Sequence, residues 1–284
     1  MINYVQAIIL GLLQGAAELF PVSSLGHSVI LPSLLGWNIH ENDNSFLVFL
    51  VATHLATALV LIGFYRHTWI RIGTGIIRSI QQREIKSTDY SAKLGWLLIV
   101  GTIPAGLIGV MFQDQIRMIF VTGKSAAFFL AINGLILLGA EYLRRRAASS
   151  GSGDAVSRLS RLSWVNSMMI GGAQALALIP GLSRSGSAMA GGLLNGLSHE
   201  DAAEFAFLLA TPIILAAAVL KLPELFQASN AGLIGPCIVG AIFTAVSAYF
   251  SVKFLTRYFK TNSLTPFGIY CLVVGIGSSL FFLR

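Results

Sequence analysis

The sequence predicts an all-α integral membrane protein, an inverted-topology repeat with six transmembrane helices and two re-entrant helical hairpins. Three observations predict this fold class: the composition, the distribution of basic residues and an internal repeat. The chain is 55% hydrophobic and only 11% charged, whereas a soluble domain is about 25% charged. Most side chains are therefore expected to face lipid or other buried helices.

Six apolar segments are long enough to cross a bilayer, whose core of roughly 30 Å requires about 20 apolar residues in a helix. They are residues 45–65, 93–112, 125–143, 202–220, 229–250 and 265–283. Two further apolar segments, 4–36 and 165–197, are interrupted by polar, proline and glycine residues. The half-helix after each interruption is too short to span. This favours re-entrant hairpins, although a segment that crosses twice would give the same topology.

Basic residues collect in three of the loops between these segments. Loops 66–93, 144–164 and 251–263 hold fourteen of the 19 lysine and arginine residues, and the other three loops hold three. With six spans, all the rich loops lie on one side, which the positive-inside rule makes cytoplasmic. Both termini are then predicted outside. Topology also explains the net charge of +7, so no nucleic-acid partner is expected.

The two interrupted segments are similar to each other at an offset of 160 residues. The matching pairs are Gly11 and Gly171, Gln14 and Gln174, Ser23 and Ser183, and Gly26 and Gly186. Three spans follow each segment, so the second half must enter from the opposite face. The predicted first repeat is 1–146, the cytoplasmic linker is 147–163, and the inverted second repeat is 164–284. In such folds the broken helices meet near the midplane and form the polar site.

The first interruption places ionisable groups at membrane depth, where they are costly and are functional candidates by default. Gln14 and Glu18 are four residues apart and share one helix face. One carboxylate and one amide oxygen could hold a hard divalent cation together with substrate phosphate oxygens. The alternative is a carboxylate at a helix end that reaches water.

Two serines and a histidine follow Pro21 in the same segment. Ser23 or Ser24 can cap the second half-helix, and Ser24 and His27 are neighbours three residues apart. A hydroxyl beside an imidazole is the minimum for an activated nucleophile. A capping serine and a packed histidine would produce the same pattern.

The second interruption, residues 180–187, combines glycines, hydroxyl groups and the fixed charge of Arg184. It precedes a half-helix whose free N–H groups and dipole favour phosphate, and Arg184 adds a bidentate donor. The alternative is an arginine that snorkels at a helix end. Together the two interruptions suit phosphoryl transfer, in which positioning and charge neutralisation supply most of the catalysis.

Two polar residues lie in the middle of predicted spans. His54 is expected to serve either the site or an interhelical hydrogen bond. Asn133 is expected to form an interhelical hydrogen bond.

Residues 18–27 and 180–186 resemble the two signature segments of the undecaprenyl-diphosphate phosphatases of the bacitracin-resistance type. The resemblance extends over nearly the whole chain, including 54–57 and 204–210. It implies a bacterial inner-membrane enzyme that releases phosphate from undecaprenyl pyrophosphate and regenerates the carrier lipid of cell-wall synthesis. It also implies a site that faces outside and a divalent cation, Mg or Ca.

By position in these motifs, the resemblance assigns catalytic roles to Glu18, Ser24, His27 and Arg184, with Glu18 and Gln14 as metal ligands. Ser24 is the expected nucleophile and His27 its base, while His27 as nucleophile or water as nucleophile stays open. His54 and Gln174 are expected to support these groups from behind. The residues expected to bind substrate are Ser23, Gly26, Gly181, Ser183, Ser185, Gly186 and Ser187.

Two positions depart from the family pattern. Gln14 stands where many members have a second glutamate, so a metal would be held by fewer charges. Ala188 replaces a usual threonine, with the Ser187 hydroxyl one position earlier.

A polyprenyl-phosphate transporter or flippase is the main alternative, because inverted repeats with broken helices are common in transporters. A transporter needs no serine–histidine pair. A channel or structural subunit would leave the buried glutamate and arginine unexplained. The expected partners are the polyprenyl diphosphate and the bilayer, and a homodimer is left open.

Overall fold

A computed structural model describes residues 2–37, 39, 43–120, 122–144 and 153–283. Every regular element in these ranges is helical, as predicted. The α-helices are α1 (Tyr4–Leu19), α2 (Ser24–Leu34), α3 (Asn44–Phe64), α4 (Arg66–Gln82), α5 (Tyr90–Phe120), α6 (Gly123–Arg144), α7 (Ala155–Leu159), α8 (Trp164–Ala173), α9 (Arg184–Leu194), α10 (His199–Lys221), α11 (Ile234–Tyr258) and α12 (Thr265–Phe281). Short 3₁₀ helices occupy Gln174–Leu178, Leu222–Phe226 and Ala228–Leu233.

Five helices in the described ranges are long and apolar enough to cross a membrane, so the chain is a multi-pass membrane protein. They are Asn44–Phe64, Tyr90–Phe112, Gly123–Arg144, His199–Phe226 and Ile234–Tyr258. The sixth predicted span corresponds to α12, which is apolar but has only 17 residues. At 1.5 Å per residue, α12 is about 26 Å long.

The predicted loop 66–93 is largely helical, because residues 66–82 form α4. Ile72 is buried, while Arg71 and Arg78 lie on the exposed face. Gly75 permits close packing on α5, since a Cβ there would lie 2.5 Å from the Ala92 nitrogen. A count of charges treats such an amphipathic helix as a loop, although its apolar residues recur at helical spacing. The predicted linker likewise contains α7, and residues 145–152 lie outside the described part.

Both predicted interruptions are confirmed. Helix α1 ends at Leu19, and Ser23 has a φ of 68° before α2 begins. The Ser23 hydroxyl accepts a hydrogen bond from the Gly26 N–H at 3.1 Å. In the second segment, the Ser183 hydroxyl accepts from the Gly186 N–H at 3.0 Å. Each serine therefore caps the helix that follows its interruption.

Two pairs of helices pack through small residues. Helix α1 lies against α11, where the Thr244 hydroxyl donates to the Gly11 carbonyl at 2.9 Å. Helix α8 lies against α5, where the Ser167 hydroxyl donates to the Leu97 carbonyl at 2.6 Å. Small residues at such contacts allow backbones to approach closely within a membrane. These two contacts attach the interrupted segments to long helices.

Candidate active site

The two interruptions are in direct contact with each other. The Ser185 hydroxyl donates to the Phe20 carbonyl at 3.1 Å. A Cβ on Gly26 would lie 2.8 Å from the Gly181 Cα, and one on Gly186 would lie 3.2 Å from the Pro21 carbonyl oxygen. The glycines are therefore needed where one backbone passes close to another.

Asn133 of α6 joins both interruptions through one buried amide. Its Nδ2 donates to the Pro21 carbonyl at 2.9 Å, and its Oδ1 accepts from the Ser183 N–H at 3.0 Å. The predicted interhelical hydrogen bond is thus present. It fixes the positions of the two segments that carry Ser24 and Arg184.

Glu18 is the centre of the polar cluster, and the residue is 5% exposed. Arg184 Nη2 donates to Oε1 at 2.6 Å. The other oxygen, Oε2, accepts from Gln14 Nε2 at 2.9 Å, from His54 Nε2 at 3.0 Å and from the Ser24 hydroxyl. The donors come from α1, α2, α3 and α9, so four helices meet at one carboxylate. Such a buried charge is tolerable because it is paired and hydrogen-bonded.

The expected pairing of Ser24 with His27 is wrong in its geometry. His27 Nδ1 lies 2.8 Å from the Ser23 carbonyl oxygen, and Nε2 lies 2.9 Å from the Tyr270 hydroxyl. The imidazole also stacks on the Tyr270 ring, with the centroids 5.7 Å apart. Both ring nitrogens are therefore engaged away from Ser24, whose hydroxyl donates to Glu18.

The histidine beside the carboxylate is His54. Its Nδ1 lies 2.6 Å from the Leu50 carbonyl oxygen of α3, and this contact orients the ring so that Nε2 reaches Glu18. Ser24 and His54 thus share one carboxylate oxygen. The sequence signal was an ionisable residue in the middle of a span, but its partner lies on another helix.

A cavity of about 270 Å³ opens beside this cluster. Its polar lining, which we call the polar floor, is formed by Glu18, Ser23, Ser24, His54, Gln174, Ser183 and Arg184. The apolar part of the lining, which we call the apolar wall, includes Leu50 and Val51 of α3, Ala177 and Leu178 of the 3₁₀ helix, and Ile213 and Ile214 of α10. A ligand that fits this cavity has a charged end and an apolar body.

The cavity separates the predicted substrate-binding residues into two groups. Ser23 and Ser183 line it. The other five, Gly26, Gly181, Ser185, Gly186 and Ser187, are not among the residues that line it. The expectation that His54 and Gln174 act from behind is wrong, because both side chains line the cavity.

The expected divalent cation stays a prediction, and the side chains as they are arranged leave few free ligand atoms for it. Both oxygens of Glu18 already accept from other groups, and Gln14 presents its amide nitrogen to the carboxylate rather than its oxygen. Within the described ranges, no group of three or more histidine, cysteine or acidic side chains could hold a metal.

The fold and the site define a class: a multi-pass helical membrane protein with a buried charged cluster beneath an amphipathic cavity. Residues 7–277 match the family model described as bacitracin resistance protein BacA, and the chain belongs to this family. The predicted resemblance is thereby confirmed.

Three curated relatives cover almost the whole chain. An undecaprenyl-diphosphatase of Mycolicibacterium paratuberculosis is 46% identical to this chain. The alignment covers 99% of this chain and 98% of that relative. Undecaprenyl-diphosphatase 2 of Chromobacterium violaceum is 42% identical, and the alignment covers 98% of this chain and 99% of that relative. The undecaprenyl-diphosphatase of Acidiphilium cryptum is 43% identical, and the alignment covers 95% of this chain and 94% of that relative.

Proposed function

We propose that this chain is an undecaprenyl-diphosphatase, which hydrolyses undecaprenyl diphosphate to the monophosphate and inorganic phosphate. Membership of the family and the full-length relatives support this activity. The observation that carries it is the cluster of Glu18, Ser24 and Arg184 beneath an apolar wall. In bacteria this reaction regenerates the carrier lipid of cell-wall synthesis, and the family name links it to bacitracin resistance.

Ser24 is the proposed nucleophile. Its hydroxyl already donates to Glu18, so the proton has an acceptor when Oγ attacks the terminal phosphorus. The new Oγ–P bond forms as the bond from phosphorus to the bridging oxygen breaks, and the lipid monophosphate leaves with that electron pair. Water then attacks the phosphoserine and releases inorganic phosphate, while Ser24 regains a proton.

Arg184 is the proposed phosphate-binding group. Its Nη2 holds Glu18, while the buried Nη1 has no protein partner in the described ranges. Nη1 can therefore donate to a phosphate oxygen without loss of the ion pair. Charge-assisted hydrogen bonds of this kind are about twice as strong as neutral ones. The prenyl tail follows the apolar wall toward the lipid.

The cavity is proposed to open outside the inner membrane. Leu50 and Val51 lie in the first half of α3, whose last turn leads to the basic helix α4. Ile213 and Ile214 lie in the second half of α10, whose first turn pairs with the linker through Arg158 and Asp201 at 2.7 Å. Both helices thus contribute their halves distant from the basic side. The positive-inside rule makes that basic side cytoplasmic.

An inverted repeat is proposed for the architecture, and reciprocal contacts support it. A Cβ on Gly11 would lie 2.4 Å from the Gly240 carbonyl oxygen, and one on Gly171 would lie 1.7 Å from the Gly101 carbonyl oxygen. Gly11 matches Gly171 in the sequence repeat, and Gly101 matches Gly240 because residues 99–101 and 238–240 both read Ile-Val-Gly. The interrupted helix of each half thus packs on the matching long helix of the other half, as a two-fold relation requires.

Phosphate release by purified protein in detergent tests the activity. We expect Glu18→Ala, Ser24→Ala and Arg184→Ala each to lower kcat by at least about 100-fold, because each removes a group of the reacting cluster. Ser87→Ala and Arg66→Ala change exposed residues and should leave kcat unaltered. Near-wild-type turnover in Glu18→Ala or Arg184→Ala would refute the site.

The same assay separates an enzyme from a transporter. In detergent there is no second compartment, so a transporter would release no phosphate. Radiolabelled terminal phosphate that remains on the denatured wild-type protein, but not on Ser24→Ala, would support the covalent step. Label on His27 would instead identify a histidine nucleophile.

A further inference from the structure

Gln174 has a side chain whose polar atoms have no partner among the described residues. It begins the 3₁₀ helix Gln174–Leu178 and is 3% exposed. Both Nε2 and Oε1 are buried without a hydrogen bond from any residue that the structure describes. The side chain nevertheless lines the cavity together with Ser183 and Arg184.

Two unsatisfied atoms on one amide are unusual in a protein interior. Buried polar groups are hydrogen-bonded in the great majority of cases, because burial of an unpaired amide is unfavourable. Arg184 lines the same cavity, and its Nη1 is also buried without a partner among the residues that the structure describes. Two donors on the lining of one cavity thus lack an acceptor, which points to an anionic ligand.

The position of Gln174 in the chain distinguishes the two phosphates of the substrate. Ala177 and Leu178 belong to the same 3₁₀ helix and form part of the apolar wall. Glu18 and Ser24 flank the first interruption, where the terminal phosphorus is attacked in the proposed reaction. The phosphate that remains on the lipid must connect that reacting end to the prenyl tail.

We infer that the Gln174 amide nitrogen donates to the phosphate that stays on the lipid. This inference rests on the proposed function. It makes Gln174 a substrate-binding residue and gives the cavity separate subsites for the departing and the retained phosphate. Arg184 lies at the first subsite, and Gln174 lies at the junction of the polar floor and the apolar wall.

Binding of two fragments tests the inference without a need for turnover. A C15 prenyl monophosphate represents the retained half of the substrate, and inorganic phosphate represents the departing half. We expect Gln174→Ala to weaken binding of the prenyl monophosphate by about tenfold or more, the effect of one hydrogen bond to a charged group. Binding of inorganic phosphate should change less than twofold.

Gln174→Glu provides a second variant of nearly the same shape, in which an oxygen replaces the donor. It should weaken prenyl monophosphate binding at least as much as Gln174→Ala. Gln82→Ala, at an exposed position on α4, is the matched control and should leave both affinities unchanged. Dissociation constants are measured on the purified full chain in detergent, with thermal unfolding to verify folding.

The outcomes separate the inference from its alternatives. Unchanged prenyl monophosphate binding in both folded variants would overturn it. Equal weakening of both ligands would also overturn it and would assign Gln174 to maintenance of the broken helix. If wild-type protein binds the lipid fragment but does not hydrolyse the diphosphate, the proposed function fails while the subsite stands or falls on the variants.

Discussion

At the residue scale, Glu18 organises the site because it accepts from four side chains on four helices. Burial of this carboxylate without its donors would lower the stability of the folded protein by several kcal/mol. The ion pair with Arg184 therefore stabilises the Glu18 carboxylate in addition to placing the guanidinium at the cavity. The carboxylate in turn holds Ser24 and His54 at its second oxygen.

His54 is expected to matter for catalysis through Glu18. His54→Ala removes one donor from Oε2 and should lower kcat by about tenfold or more, because Ser24 and the carboxylate lose a fixed geometry. KM should change less, since substrate binding is assigned to other groups. His67→Ala, at an exposed position on α4, is the control in the same phosphate-release assay. Equal kcat in His54→Ala and wild type would contradict this role.

Local spacing predicted some contacts of the site and missed others. Gln14 and Glu18 are four residues apart on one helix, and their side chains meet at 2.9 Å as expected. Ser24 and His27 are three residues apart, yet α2 only begins at Ser24, and the imidazole turns back to the Ser23 carbonyl. Side chains on a helix lean toward its N-terminus. The contact of His54 with Glu18 joins α3 to α1, so no local spacing contained it.

At the element scale, glycine contacts determine how the interrupted helices are attached. Gly171 of α8 has no room for a Cβ, because the Gly101 carbonyl of α5 occupies the position. Gly139 of α6 faces open space. Addition of a side chain is therefore expected to disrupt packing at Gly171 and to be tolerated at Gly139.

Alanine substitution at these two glycines tests that difference. Gly171→Ala should lower the stability by about 1–3 kcal/mol through overpacking, measured as a lower Tm of the purified protein in detergent. Gly139→Ala should leave the Tm equal or higher, since alanine favours helix by up to about 1 kcal/mol. If both variants melted alike, close packing between α8 and α5 would not limit stability.

The helix α4 shows why charge patterns alone do not define elements. Its basic residues led to the prediction of a loop, yet the Ser79 hydroxyl accepts from Trp96 Nε1 at 2.9 Å and holds α4 on α5. Arg78 hydrogen-bonds Asp89 at 2.6 Å, and this bond keeps the pKa of the Asp89 carboxyl below its ordinary value. The positive-inside rule counts basic residues between spans whether they are in a loop or a helix. The prediction that this end of the protein is cytoplasmic is therefore the same with α4 present.

At the scale of the whole molecule, the remaining prediction concerns orientation. The two ends of the protein differ in charge, since α4 and the linker carry basic residues and the cavity uses the opposite halves of α3 and α10. If the basic end is cytoplasmic, the diphosphate is hydrolysed at the outer face. A substrate generated outside the cell membrane would then reach the site without crossing the bilayer.

Cysteine accessibility tests this orientation directly, because both native cysteines are buried at 3% and 0% exposure. We expect Gln227→Cys, between α10 and α11, to react with a membrane-impermeant maleimide in intact cells. Lys86→Cys, between α4 and α5, should react only after permeabilisation. The unmodified parent chain controls for Cys237 and Cys271.

The reverse pattern would place the cavity on the cytoplasmic side, and labelling of both positions in intact cells would mean that the chain inserts in two orientations. Either result would contradict an outward-facing site, whereas the expected pattern requires the apolar wall to admit lipid from the outer half of the bilayer.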